Sequence, residues 1–366
     1  MKFRIQRETL LKPLQAVIGV VERRQTLPVL SNILVQAGDN QITLTSTDLE
    51  VELLASFEVD VAEPGIITIP ARKLVDICRT LPDESVLDIQ LKGEKITLKS
   101  GRSRFTLATL AASEFPQIDE IHARNSFKIT ERELKRLIEK THFSMAQQDV
   151  RYYLNGLMFE LNKDSLRTVA TDGHRLAMCQ HSMNIDIDES NQVIVPRKGI
   201  QELNRLLEDS DRTVKVMISN NHIRVEMDNL RFTSKLIDGK FPDYNRVIPS
   251  NSDKLIPLDL ETIKKSLVRT SILSNEKYRG VRLTFDKNVL SIQAHNPEQE
   301  EAQDELAIEY DDESVEIGFN VTYILEALGV IDTEQVILAL TDANSSCLIY
   351  SQDNKDCQYV IMPMRL

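Results

Sequence analysis

The residues best suited to chemistry in this chain are Asp172-Gly173-His174-Arg175. A carboxylate two residues from an imidazole could orient the ring for general-base work. Such a base needs a nucleophile, and no serine or cysteine sits in a recognisable elbow motif. Asp48 and Glu50 leave a two-metal carboxylate site open, but nothing specific in the sequence points to one. There is no GxxxxGK(S/T) loop and no GxGxxG turn to cradle a nucleotide phosphate. No HExxH motif or Cys/His cluster has zinc spacing, and the six histidines (122, 142, 174, 181, 222 and 295) are dispersed. No cofactor or metal is expected. A hydrolase or nuclease using Asp172 and His174 therefore stands as one hypothesis, and a β-rich scaffold that binds only proteins as another.

Asp172 also marks a repeat, which favours a turn role over catalysis. Thr47-Asp48, Thr171-Asp172 and His295-Asn296 occupy similar contexts, with Asp48, Asp172 and Asn296 spaced by 124 residues at each step. Arg104-Phe105, Arg231-Phe232 and Gln358-Tyr359 are spaced by 127 and 127. Pro70 with its following Ala-Arg-Lys answers Pro196-Arg197-Lys198, and Phe115-Pro116 answers Phe241-Pro242. A shared period of about 125 residues implies three tandem domains. Their expected bounds are 1–120, 127–247 and 252–366, with linkers at 117–126 and 248–254.

Each repeat divides again. Helical apolar spacing begins near residues 7, 71, 131, 197, 260 and 320. Between these points lie alternating, β-branched stretches such as QITLTSTDLEVEL and VRLTFDKNVLSIQA, broken by turn residues. The chain reads as α+β, six copies of one helix with three or four antiparallel strands, paired into three domains.

Composition is that of a globular protein, 42% hydrophobic and 27% charged. No apolar run approaches the roughly 18 residues of a membrane span, and MKFRIQRE has no apolar stretch typical of a secretory signal. Four scattered cysteines (Cys78, Cys179, Cys347 and Cys357) without a CxxC pair fit a reducing compartment, so a cytoplasmic chain is expected. The net charge of −12, from 44 basic and 56 acidic residues, by itself argues against a polyanionic partner. The charge is sorted, however. The helical segments 7–24, 71–81, 131–142, 197–208, 260–271 and 320–329 hold 75 residues with a net charge of +7, leaving −19 on the other 291. Five of the six are basic against the sign of the whole. No recognition-helix motif would read base edges, so contact with phosphate, independent of base sequence, is the expected use.

The ending, Tyr359 to Leu366, is apolar and contains Met362-Pro363-Met364. It suits a closing strand with core methionines. It equally suits a shallow peptide groove, because methionine adapts to varied partners and Pro363 favours a strand edge.

MKFRIQRETLLKPL, LPVLSNILV, TSTDLE, GRSRFTLATL, QDVRYYLNG, TVATDGHRLA, VPRKG, KFPDY, ILSNEKYRGVRL, NPEQEEA, IGFNVTYILEAL and MPMRL closely resemble the bacterial DNA polymerase III β-subunit family, the replicative sliding clamps. The resemblance spans the whole chain. It implies three domains of the DNA-clamp fold, two chains closing head to tail into a homodimeric ring, and helices around a hole that encircles double-stranded DNA. It implies no catalysis: the ring tethers the replicative polymerase and is opened by a separate ATP-driven loader. The implied partners are the polymerase III α subunit, the clamp-loader δ subunit, and other polymerases and repair proteins carrying short clamp-binding peptides. No membrane is involved.

Residue by residue, the resemblance implies a peptide groove at Leu154, Thr171, Gly173, His174, Arg175, Leu176, Pro242, Arg246, Val247, Ser346, Val360, Met362, Pro363, Met364, Arg365 and Leu366. It implies DNA contacts at Arg24, Arg72, Gln148, Tyr152 and Tyr153, whose tyrosines offer stacking faces. Asn245 departs from relatives that can carry arginine there. For ring closure, Arg102, Arg104, Phe105 and Leu107 stand in the first domain. The third carries Ile272, Leu273 and the acidic run containing Glu298, Glu300 and Glu301. Neither feature recurs in the other repeats, and the family places both at the junction between chains. An apolar core flanked by opposite charges would select which edge meets which.

Overall fold

The computed structural model describes every residue except 22–26, 119, 251 and 366. Six half-units follow one pattern, a leading strand, a helix and then three strands. The first runs β1 (Lys2–Gln6), α1 (Arg7–Val17), β2 (Asn32–Gly38), β3 (Gln41–Thr47) and β4 (Val51–Glu58), with a short extra strand β5 (Val61–Glu63). The second is β6 (Gly65–Pro70), α2 (Ala71–Thr80), β7 (Val86–Lys92), β8 (Lys95–Ser100) and β9 (Ser103–Ala108). The third is β10 (Asn125–Thr130), α3 (Glu131–Glu139), β11 (Gly156–Leu161), β12 (Ser165–Thr171) and β13 (Arg175–Ser182). The fourth is β14 (Asn191–Pro196), α4 (Arg197–Leu206), β15 (Thr213–Ile218), β16 (His222–Met227) and β17 (Leu230–Lys235). The fifth is β18 (Lys254–Asp259), α5 (Leu260–Ser271), β19 (Gly280–Asp286), β20 (Val289–His295) and β21 (Glu301–Ala307). The sixth is β22 (Val315–Asn320), α6 (Val321–Gly329), β23 (Gln335–Leu340), β24 (Cys347–Ser351) and β25 (Cys357–Ile361).

The half-units exchange their leading strands: β1 pairs with β7 and β6 with β2, β10 with β15 and β14 with β11, β18 with β23 and β22 with β19. Each half of a repeat thus supplies the leading strand of the other half's sheet. Helices turn a narrow apolar stripe inward, Leu10, Leu14 and Val17 on α1 and Leu74, Val75 and Cys78 on α2. Burying each large side chain contributes roughly 1.5–3 kcal/mol. Asp259 caps α5 by accepting the Thr262 amide, and Asn320 caps α6 by accepting that of Thr322.

Sheets also run through the repeat boundaries. One eight-stranded sheet has the order β10-β15-β16-β17-β4-β3-β2-β6, and another β14-β11-β12-β13-β25-β24-β23-β18. By contacts the chain divides into two compact units, although the repeat gives it three domains. One is Met1–Arg132 with Lys198–Leu236, and the other is Glu133–Arg197 with Ile237–Leu366, so the middle repeat contributes to both.

Three expectations need correction. Helix α1 ends at Val17 and passes into a 3-10 turn over Ile18–Val20, so the segment counted to residue 24 was longer than the helix. Helix α3 ends at Glu139, before Lys140, and carries three basic and three acidic residues; its expected positive balance came from outside the helix. Finally, Cys179 and Cys357 are not isolated thiols but are joined as a disulfide. They lie opposite one another on β13 and β25, a proximity set by sheet register across 178 residues. Cys78 and Cys347 are free and buried.

Candidate functional site

The Asp172 turn settles the first of the chemical candidates. Asp172 Oδ1 accepts the amides of His174 at 2.9 Å and Arg175 at 3.0 Å, while Oδ2 pairs with Arg175 Nε at 3.1 Å. The carboxylate is spent on its own turn, with Gly173 at φ 89° inside it. Asp48 is engaged in the same way: Oδ1 accepts the amides of Glu50 and Val51, and Oδ2 pairs with Lys198 at 2.6 Å. Among the described residues, no group of three or more His, Cys, Asp or Glu is placed to hold a metal.

Beside the Asp172 turn lies a cavity of about 260 Å³. Of the sequence-expected groove residues, Leu154, Thr171, Gly173, Arg175, Leu176, Pro242, Val247, Val360 and Met362 line it. Its floor is apolar, because Leu154, Leu176 and Val360 are at most 2% exposed. Leu176 and Val360 are cross-strand partners on β13 and β25 and share a cluster with Met178, Phe241 and Tyr244. Gly156 admits this packing at the root of β11, where a Cβ would stand 2.5 Å from the Val195 carbonyl oxygen.

Polar groups fix the rim. Arg175 donates from Nη2 to the Phe143 carbonyl at 2.7 Å, pairs through Nη1 with Glu326, and stacks 4.5 Å from the Tyr323 ring centroid. It is therefore a support for the floor, not a free cation. Arg151 is held by both oxygens of Asp149, at 3.0 and 2.8 Å, and reaches the Asp172 carbonyl. That pairing holds the Asp149 carboxyl down at about 2. Under the opposite wall the Tyr244 hydroxyl donates to Glu160 at 2.6 Å, and Arg167 and Gln192 donate to the same carboxylate. Burial, reinforced by Glu160, pushes the Tyr244 phenol up to about 12.

The C-terminal segment is a closing strand, as one reading of its sequence expects, but its methionines are not core residues: Met362 is exposed and Met364 half-buried. Val360 and Ile361 are core residues, whereas Met362 is 43% exposed at the cavity. The Met362 amide donates to the His174 carbonyl at 3.0 Å, and that of Met364 to Gly318 at 2.7 Å, pinning the segment on either side of Pro363. His174, Arg246, Ser346, Pro363, Met364 and Arg365 do not line the cavity; Arg246 is exposed and paired with Asp243. Leu366 lies outside the described residues. Arg151, Tyr153 and Tyr244 line the cavity without having been expected there. Tyr244 could have been found from the repeat, since it follows Phe241-Pro242 as Ile118 follows Phe115-Pro116.

Of the expected DNA contacts, Arg24 lies outside the described residues. Arg72 donates from Nη2 to the Val21 carbonyl at 2.7 Å. Gln148, at φ 56°, and Tyr152, 75% exposed, stand on an open loop with Val150. Tyr153 instead packs against the groove cluster. Of the expected interface residues, Arg102 and Arg104 are exposed, and Phe105 and Leu107 share the half-buried face of β9. Ile272 is 73% exposed at the end of α5, Leu273 is half-buried beside it, and Glu298, Glu300 and Glu301 are exposed at the start of β21.

A three-domain fold of repeated helix-plus-sheet units, with the Asp172 carboxylate spent on its own turn and an apolar groove beside it, defines a clamp-type protein. Three family profiles match in succession: the DNA polymerase III β-subunit N-terminal domain over residues 1–119, the central domain over 128–243 and the C-terminal domain over 245–365. The chain belongs to the DNA polymerase III β-subunit family, the sliding clamps, and is a non-catalytic subunit of that polymerase. It is 56% identical to the β sliding clamp of Pseudomonas aeruginosa, covering all of both chains. The crystal structure of the polymerase III β subunit from that organism superposes with a TM-score of 0.98 over the full length of each. A second Pseudomonas aeruginosa clamp structure, bound to griselimycin, is 56% identical with a TM-score of 0.97 and covers both chains completely.

Proposed function

We propose that two copies of this chain close head to tail into a ring around duplex DNA, through β9 of one copy and β21 of the next. Strand pairing supports this reading. The third strands of the half-units pair across repeat boundaries, β4 with β17 and β13 with β25. Among the described residues their equivalents β9 and β21 end their sheets, each with a neighbour on one side only. Open edges invite pairing, and a closed ring uses them up. Arg102 and Arg104 then meet the acidic segment holding Glu298, Glu300 and Glu301, while Phe105, Leu107, Ile272 and Leu273 supply apolar contact.

The ring slides on DNA without reading sequence, with Arg24, Arg72, Gln148 and Tyr152 as contact residues and Tyr153 shared with the groove wall. The groove between Leu176, Val360, Pro242 and Met362 takes short extended peptides with apolar anchors. Through it the clamp tethers the polymerase α subunit, the loader δ subunit and other polymerases and repair proteins, in the cytoplasm. The clamp should be retained on nicked circular DNA after loading and released when the circle is cut. Retention after linearisation would mean conventional binding rather than a topological tether.

A further inference from the structure

The peptide groove has a counterpart within the first unit. Across β17 and β4, Phe232 faces Leu53 and Ser234 faces Val51; shifted by 127 and 124 residues, these become Tyr359 opposite Ala177 and Ile361 opposite Arg175 on β25 and β13. The adjoining turns match as well. Thr47 Oγ1 accepts the Leu49 amide at 3.1 Å, as Thr171 Oγ1 accepts that of Gly173 at 3.1 Å. The repeat thus generates the same junction twice, and at the earlier one there is a cavity of about 540 Å³. Thr47, Leu49, Pro116, Ile121, His222 and Lys235 line it, at the positions of Thr171, Gly173, Pro242, Val247, Ser346 and Met362.

Its chemistry differs from the later groove in a definite direction. The floor positions of Leu176 and Val360 are taken by Glu52 and Thr233, and Glu52 lies buried 3.6 Å from Arg231 and beside buried Arg224. Its Oε2 also accepts the amide of Ile118 at 3.3 Å, which fixes the covering loop. Met362 is replaced by Lys235, which is exposed and without an ion pair among the described residues. His222 Nδ1 lies 3.0 Å from Asn221 Oδ1, while its Nε2 is buried without a hydrogen-bond partner. Leu49 stands 40% exposed at φ 78°, a left-handed backbone that the later groove assigns to glycine.

We propose that this junction is a second docking groove, for a short extended peptide with one apolar side chain against Leu49, Pro116 and Ile121 and a carboxylate facing Lys235. The inference rests on the reading of the Leu176–Val360 groove as a peptide site, carried to its repeat-equivalent with neutral Met362 exchanged for the cation Lys235; Glu120 is the one carboxylate among the described lining residues. Extended backbone would bring a donor to His222 Nε2, whose neutral ring accepts when Nδ1 donates to Asn221.

The test uses two photoreactive hexapeptides on the full-length protein, each with one leucine and one benzoylphenylalanine, one carrying two aspartates and the other two lysines. Crosslinks are mapped by mass spectrometry. The aspartate peptide should label residues 47–49 or 219–222, and the lysine peptide should not. Lys235→Glu should cut that labelling at least tenfold, and so should Leu49→Asn, which keeps a residue tolerant of the left-handed backbone. Neither change should reduce labelling near Val360 and Met362. Absence of junction labelling, equal labelling by the lysine peptide, persistence in Lys235→Glu, or displacement by a single-stranded oligonucleotide would each overturn the proposal. Junction labelling with none near Val360 and Met362 would uphold it and count against the first groove instead.

Discussion

The hydroxyl of Tyr244 donates a 2.6 Å hydrogen bond to Glu160, tying the wall of the proposed peptide groove to the sheet beneath it. Tyr244 is 2% exposed, so its hydroxyl has no water to turn to for a replacement. Tyr244→Phe keeps the ring's packing and removes the hydroxyl, both the donor to Glu160 and the acceptor of Arg167 Nη1 at 3.3 Å. It should cost about 1–3 kcal/mol of stability, the range for stripping a buried group of its partner. Urea unfolding checks the magnitude, and an unchanged midpoint would show that Arg167 and Gln192 satisfy Glu160 alone.

Acid should act on the same carboxylate. Burial pushes Glu160 up, but hydrogen bonds from Tyr244 and Gln192 and the nearby Arg167 charge outweigh it and leave its pKa lowered. A lowered folded pKa gives stability that is present above the unfolded carboxylate value and is lost as pH falls through the folded one. Glu160→Gln should therefore flatten the decline of stability below about pH 4. Thermal melts of both proteins between pH 3 and 7 test this, and parallel curves would exclude Glu160 as a contributor.

Thiol chemistry offers a separate check. Desolvation raises Cys78 to about 11 and Cys347 to about 12. At pH 8 only about one thiol in a thousand or fewer is then ionised at either site, and the thiolate is the reactive form. Iodoacetamide should leave the native chain unmodified over minutes. Unfolding without reductant should expose two thiols per chain, and unfolding with reductant four, because Cys179 and Cys357 are bonded. Four thiols before reduction would refute that pairing.

These cysteines also show where sequence reasoning stops. Helix starts were legible because each half-unit repeats a local apolar spacing, and α2, α4 and α5 begin where Ala71, Arg197 and Leu260 predicted. The helix ends were less so: Ile18 and Val20 extend the apolar pattern of α1 although the backbone has already tightened. Cys179 and Cys357 meet only through sheet register, which no local pattern encodes. The groove had the same difficulty, since Leu154, Leu176 and Val360 converge from distant segments. Resemblance alone brings them together, whereas Tyr244 follows from the repeat, standing after Phe241-Pro242 as Ile118 stands after Phe115-Pro116. The two-unit clustering was hidden too, because a 125-residue period reports chain duplication and not which strands continue a sheet.

Ring closure can be tested at the level of register. The turn before β21 holds one residue more than its counterparts, so carrying the β17–β4 and β25–β13 pairing one repeat further places Phe105 of one copy opposite Ala302 of the other, and Thr106 opposite Glu301. A Thr106→Cys, Glu301→Cys chain should form a covalent dimer under mild oxidation, seen on a non-reducing gel. Arg102→Glu with Arg104→Glu should yield monomers by sedimentation velocity. A dimer unaffected by the charge reversals would remove the proposed electrostatic selection of edges.

Met362 separates groove function from folding. Its side chain is 43% exposed while its amide holds the His174 carbonyl, so changing the side chain spares the backbone bond. Met362→Ser should alter stability by no more than about 0.5 kcal/mol, as for surface positions. Stimulation of polymerase by the loaded clamp should fall about tenfold or more. Deletion of residues 362–366 is a poorer test, because it also removes the Met364 amide bond to Gly318.

DNA contact should depend on which helix cations are unengaged, and net helix charge is a poor guide to that. Arg205 is basic on α4 yet donates to the carbonyls of Gln15 and Ala16 and pairs with Glu202. Lys264 and Lys265 on α5 both pair with Glu261, and Arg269 pairs with Asp304. Lys12 on α1 and Lys73 and Arg79 on α2 have no ion pair among the described residues. A cation already satisfied within the chain must break that contact to neutralise a phosphate, so it releases less binding free energy. Lys73→Ala and Arg79→Ala should each flatten the dependence of log affinity on log salt by about 1, the slope of one lost phosphate contact. Arg205→Ala should change that slope little and lower thermal stability instead. Titration of short duplexes at several salt concentrations distinguishes them, and equal slopes for Lys73→Ala and Arg205→Ala would show that engagement within the chain does not decide which cations meet DNA.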